Sequence, residues 1–141
     1  MSDMGFMPQL ATETSDSTGI LPYRFVKLVT NAPYCGAACT AITDPQIGVT
    51  DGSVYQFGNP SVTQNSVSGT PINLQPSNTV QIELGGTVQA GNYLMPKASA
   101  AGVAVLAAGA TAVSNYVALE GGETGQIIKA FRFGQRGPVF A

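Results

Sequence analysis

Histidine and tryptophan are absent from this 141-residue chain, and charge is scarce: six Lys or Arg and eight Asp or Glu make up 10% of it. Without histidine, no side chain titrates near neutrality by default, and a Ser–His dyad has no base. Zinc also loses its commonest nitrogen donor. The two cysteines, Cys35 and Cys39, fall short of the roughly four N or S ligands of a structural zinc site. Their C-x3-C spacing is not the C-x-x-C of a redox pair. A disulfide across three residues is geometrically demanding. The plainer reading is two small apolar residues in a hairpin. No metal and no cofactor is expected.

Scarce charge limits the partners too. The net charge is −2, and the only local basic group, Lys129, Arg132 and Arg136, follows closely on Glu120 and Glu123. A phosphate backbone needs clustered Lys and Arg, so nucleic acid is not an expected partner. No glycine run has the phosphate-loop spacing G-x-G-x-x-G ahead of a helix. The longest small-apolar run, Ala98 to Val113, is broken by Gly102 and Gly109. It is shorter than the ~20 residues of a membrane helix, and no membrane association is expected. Residues 1–19 have neither a basic nor an apolar region of the signal-peptide kind. Glu120 and Glu123 flank Gly121-Gly122 and read as solvated turn residues, not as a glycosidase pair. No catalytic residue is nominated, and the chain is not expected to be an enzyme.

What is present points to strands. Hydrophobic residues make up 44% of the chain, with 17 glycines and 9 prolines, which sit poorly in helices. Val, Ile, Thr, Phe and Tyr recur in short runs. The expected fold is all-β, a small β-barrel or β-sandwich with an extended N-terminal arm. The arm is residues 1–19, the β-domain 20–134 and a C-terminal tail 135–141. A weakly charged exterior is poorly protected against association. It reads either as covered in a larger assembly or as a neutral extracellular or phage-type surface.

The individual strands can be placed. In YRFVKLV, Tyr23, Phe25, Lys27 and Val29 share one face, and Arg24, Val26 and Leu28 the other. NAPYCG reads as a turn, followed by short strands in CTAIT and QIGVT, and Asp51-Gly52 as a tight turn. Residues 58–79 form a polar, uncharged excursion with Pro60, Pro71 and Pro76, which confine any strand there to an edge. TVQIELGG alternates, with Val80, Ile82 and Leu84 inward. Between Ala98 and Ala108 a strand is preferred over an alanine-rich helix, because Gly102 interrupts the run and the valines are β-branched. In the last strand Ile127, Phe131 and Phe133 share a face with Lys129, and Ile128 and Ala130 share the other with Arg132. That pattern reads as burial on both faces for part of the strand's length. There is a faint internal echo: YRFVKL then QIGVTDG, and NYLMPK then NYVALEGG, each about 20 residues on.

The motifs PYRFVKL (22–28), IGVT (47–50), GTVQAGNYL (86–94) and VALEGGETGQIIKA (117–130) come in an order that resembles the capsid decoration, or cement, proteins of tailed bacteriophages. The arm and the 58–79 excursion lie outside that motif set. The resemblance implies a small β-domain, located on the outer capsid surface of the virion. It implies a homo-oligomer, a trimer ahead of a dimer, that binds the major capsid protein of an assembled shell and reinforces joints between subunits. It brings no catalytic residue. Contact residues are sought in the termini: Phe6, Pro8 and Leu10 in the arm, and Phe140 in the tail. The arm reads equally as a frayed terminus. An alternative is a surface-displayed carbohydrate- or receptor-binding β-domain. That would need exposed aromatics, and residues 58–79 contain none.

Overall fold

The computed structural model describes residues 9–12, 20–30, 35–52 and 71–136, with 9–12, 71–72 and 135–136 as backbone only. Among the described residues there are ten strands and no helix, so the fold is all-β. They are β1 (Gln9–Thr12), β2 (Phe25–Leu28), β3 (Cys35–Ala38), β4 (Gly48–Val49), β5 (Pro71–Asn73), β6 (Thr79–Glu83), β7 (Tyr93–Pro96), β8 (Ala104–Leu106), β9 (Ser114–Ala118) and β10 (Ile127–Arg136). They form two five-stranded sheets, ordered β4-β2-β3-β1-β5 and β6-β10-β9-β7-β8.

Each sheet curls until its outer strands touch. In the first, Thr50 bridges Leu74, and the Gln75 N–H donates to the Val49 carbonyl at 2.9 Å. In the second, Leu84 bridges Ala104, and the Gly85 N–H donates to the Ala104 carbonyl at 2.8 Å. Closure satisfies edge groups that would otherwise template pairing with another chain. The sequence echo has a counterpart here. β2 lies between β3 and β4, and β7 lies between β8 and β9, all antiparallel. The two halves therefore share a three-strand unit.

The main core lies between the sheets. Phe25, Cys39 and Val49 from the first meet Val80, Ile82, Leu84, Leu94, Tyr116, Ile128 and Ala130 from the second. The Phe25 and Tyr116 rings sit 5.2 Å apart at 40°, a tilted geometry worth about 0.5–1.5 kcal/mol beyond area burial. Val26, the next residue on β2, faces the other way into a smaller cluster with Ile20, Ala38 and Leu74. β2 is therefore buried on both faces over its first two residues, while Leu28 at its end is exposed. Glycine is needed at Gly102, where φ is +87° and a Cβ would lie 2.7 Å from the Phe25 carbonyl oxygen.

Polar residues also join the sheets. The Gln46 N–H donates to Asn115 Oδ1 and the Asn115 N–H to Gln46 Oε1, both at 2.9 Å. Gln46 Nε2 donates to the carbonyls of Asp44 and Val113, and Asn115 Nδ2 to that of Gly134. Both side chains are buried, so each bond replaces water that cannot enter. Arg24, largely buried, pairs with Glu83 at 3.2 Å and donates to the Ala101 carbonyl.

Four expectations are revised. Residues 9–12 are a strand of the chain's own first sheet, parallel to β3 and antiparallel to β5; residues 1–19 are therefore not wholly an arm apart from the domain. The strand expected at CTAIT (39–43) is not there: β3 lies wholly before it, at Cys35–Ala38, overlapping the expected NAPYCG turn, and residues 41–43 bend and turn instead. β10 runs two residues past 134, to Arg136. Lastly, β10 is buried on one face only: Ile128 and Ala130 face the core, while Ile127, Phe131 and Phe133 are exposed.

Candidate interaction surfaces

The outer face of the second sheet is built by alternation along its strands. On β10, Ile128 and Ala130 point inward, so Ile127, Lys129, Phe131 and Phe133 point out. On β9, Tyr116 and Ala118 point inward and Val117 points out, with Leu119 continuing the alternation. On β7, Leu94 is buried and Tyr93 and Met95 are half-buried on the outer side. The pairing register aligns Phe131, Val117 and Tyr93 across the three strands. The Tyr93 and Phe133 rings meet edge-on at 5.2 Å.

A solvated sheet face normally carries polar side chains. This one exposes Leu119 at 49%, Ile127 at 46%, Phe131 at 39% and Phe133 at 38%. Charge sits at its centre and at one end. Lys129 lies between Ile127 and Phe131, and Glu120 and Glu123 follow Leu119. The Glu120 carboxylate accepts the Lys129 backbone N–H at 2.9 Å. Among the described residues, the ion pairs are Arg24–Glu83 and Lys27–Asp44, and the Lys129 ammonium takes part in neither. The face continues onto the end of β10. Pairing with β6 stops at Phe131–Thr79, and residues 133–136 extend beyond it.

A second feature is an open groove of about 540 Å³ beside the end of β2, lined by Lys27, Leu28, Val29, Asp44, Pro45 and Ile47, together with Thr30. The Lys27–Asp44 ion pair, at 3.2 Å, spans its polar side. Arg132 reaches it from β10, donating to the Ile47 carbonyl at 2.9 Å. Among the described residues, no aromatic side chain lines it.

The titratable groups of the interior are poorly suited to chemistry. Burial pushes the Cys39 thiol far above its ordinary range, with Asp44 adding to the shift and Lys27 opposing it. A thiol held protonated is a weak nucleophile. Burial likewise pushes the Tyr116 phenol up to about 12, against the nearby Arg132 guanidinium. Both cysteines are free.

Of the contact residues nominated from sequence, Phe6, Pro8 and Phe140 lie outside the described residues. Leu10 lies in β1, where it is the register partner of Ile72. The exposed set Leu119, Ile127, Phe131 and Phe133 was not nominated. Its signal was present in the apolar second face of β10, which had been assigned to the core.

No protein-family model matches the chain, and no curated protein matches it in sequence. Among solved structures, the chain is similar to the head fiber gp8.5 N base of bacteriophage phi29. The match covers 92% of this chain and 95% of that one, with a TM-score of 0.62 at 14% identity. At that identity the likeness is one of fold.

Proposed function

We propose that this chain is a structural protein of a phage head. It is seated on the outer surface of the assembled shell as a homo-oligomer and reinforces joints between major capsid subunits. The observation that carries the reading is the near full-length fold likeness to a phage head fiber base. The motif order that resembles cement proteins supports the finer part. The role requires surfaces and no catalytic step. An oligomer touching several shell subunits gains avidity without any new contact. A protein that binds only the assembled state stabilises that state by mass action. A weakly charged exterior with an exposed apolar face suits burial against protein more than life as a solvated monomer.

Co-sedimentation tests this. The purified chain should pellet with assembled heads of its own phage and remain in the supernatant with unassembled major capsid protein. Decorated heads should lose their genome at a higher temperature than undecorated ones. Failure to bind heads, together with saturable binding to a glycan array, would overturn the reading in favour of a carbohydrate-binding domain.

A further inference from the structure

We propose that the outer face of the second sheet, centred on Ile127, Lys129 and Phe131, is the surface through which one copy of this chain binds another. This rests on the reading above, which takes the chain to be oligomeric, and identifies the face that makes it so.

The first argument is size. The face spans β6, β10, β9 and β7, roughly 19 Å across at ~4.8 Å per strand. From Ile127 to Phe133 it runs about 20 Å along β10 at ~3.4 Å per residue. That is roughly 400 Å² of projected surface, about half of the ~800 Å² each partner contributes to a standard interface. Its apolar centre and polar margin, with Thr79 and Gln81 on β6 and Glu120 and Glu123 past β9, follow the core-and-rim plan of such interfaces.

The second argument is charge, and it selects a second copy as the occupant. A partner of one sign would match either Lys129 or the Glu120–Glu123 end, and would repel the other. A symmetry-related copy presents both. Turned about a two-fold axis that passes between Lys129 and Glu120, it sets its Glu120 against Lys129 and its Lys129 against Glu120, as self-complementary contact requires. Lys129 has no ion pair within the described residues, so its ammonium is available to such a partner.

The test is the mass of the full chain in solution. By sedimentation velocity the wild type should run as a multiple of the 14.5 kDa protomer, and the double variant Ile127→Glu/Phe131→Glu as 14.5 kDa. Leu28→Glu, at an exposed leucine on the first sheet, should keep the wild-type mass. A mutation-free measurement guards against misfolding of the variant. Acylation of Lys129 should slow at least tenfold between dilute and concentrated wild type, while Lys97 stays unchanged. A monomeric wild type, a double variant that keeps its mass, or a Lys129 equally reactive at both concentrations would overturn the proposal. The latter two would hand the face to the shell protein or to residues 53–70 of the same chain. A monomer that still binds heads would sink this inference together with the oligomeric part of the functional reading and leave its head-binding part standing; an oligomer whose mass survives the double variant would sink this inference alone. An oligomer built through this face that binds no shell would do the reverse.

Discussion

Gln46 is the most informative residue to replace, because its side chain bonds three backbone groups in the buried seam between the sheets. Gln46→Leu keeps the volume close to constant and leaves no cavity. It orphans the Asn115 N–H and the carbonyls of Asp44 and Val113. Three net hydrogen bonds at ~1 kcal/mol each, with one strictly buried donor left unpaired, come to a loss of about 3 kcal/mol. For a domain of this size that is a fall of roughly 10 °C in melting temperature. Urea or thermal unfolding followed by far-ultraviolet circular dichroism reads it directly. A loss below about 1 kcal/mol would refute the reasoning, since it would mean that water reaches the seam. Gln46→Glu adds a check on sign. Its carboxylate would face two carbonyl oxygens, so the folded state holds its pKa above the unfolded value near 4.3. The variant's deficit should therefore be smallest in acid and grow as pH rises through the raised folded pKa.

Other perturbations test other parts of the structure. Gly102→Ala should cost more than 2 kcal/mol by chemical denaturation, since a positive φ adds about 1–2 kcal/mol to the contact with the Phe25 carbonyl. Glu83→Gln should destabilise more than Arg24→Met, because it strands a largely buried guanidinium; the reverse order would show the pair to be solvent-screened. In the folded chain a disulfide reagent should modify Cys35 well before Cys39, which is fully buried and held protonated. Tyr116 is an acid whose pKa rises on folding, so its contribution is complete below pH 10 and is lost as pH climbs towards about 12. Tyr116→Phe should flatten the melting-temperature curve over that window, and an unchanged slope would refute the assignment.

The legible parts of the fold were those decided locally. Val80, Ile82 and Leu84 alternate with Gln81 and Glu83 because one side of β6 is core and the other is not, and that period is visible in any window. β8 was readable as strand because Gly102 breaks the alanine run. β3 was displaced, since its small residues Gly36, Ala37 and Ala38 are selected by close packing and carry little β-propensity of their own. β1 was invisible: Gln9–Thr12 is a strand because β3 and β5 flank it, and β5 lies some 60 residues away. The apolar outer face was visible as a pattern and assigned to the core, because a strand covered on both faces by its own chain and one that leaves an apolar face exposed present the same residues.

The division of the sheets along the chain sets a schedule for synthesis. The first sheet is complete by residue 74 and the second is drawn entirely from residues 79–136. Phe25, Cys39 and Val49 face the second sheet, so they stay uncovered while the ribosome adds ~60 further residues, roughly 3–12 s at ordinary elongation rates. During that interval the nascent chain is a half-sandwich with a greasy flank. Holding it apart from its neighbours on a polysome is a demand that the finished molecule no longer reveals.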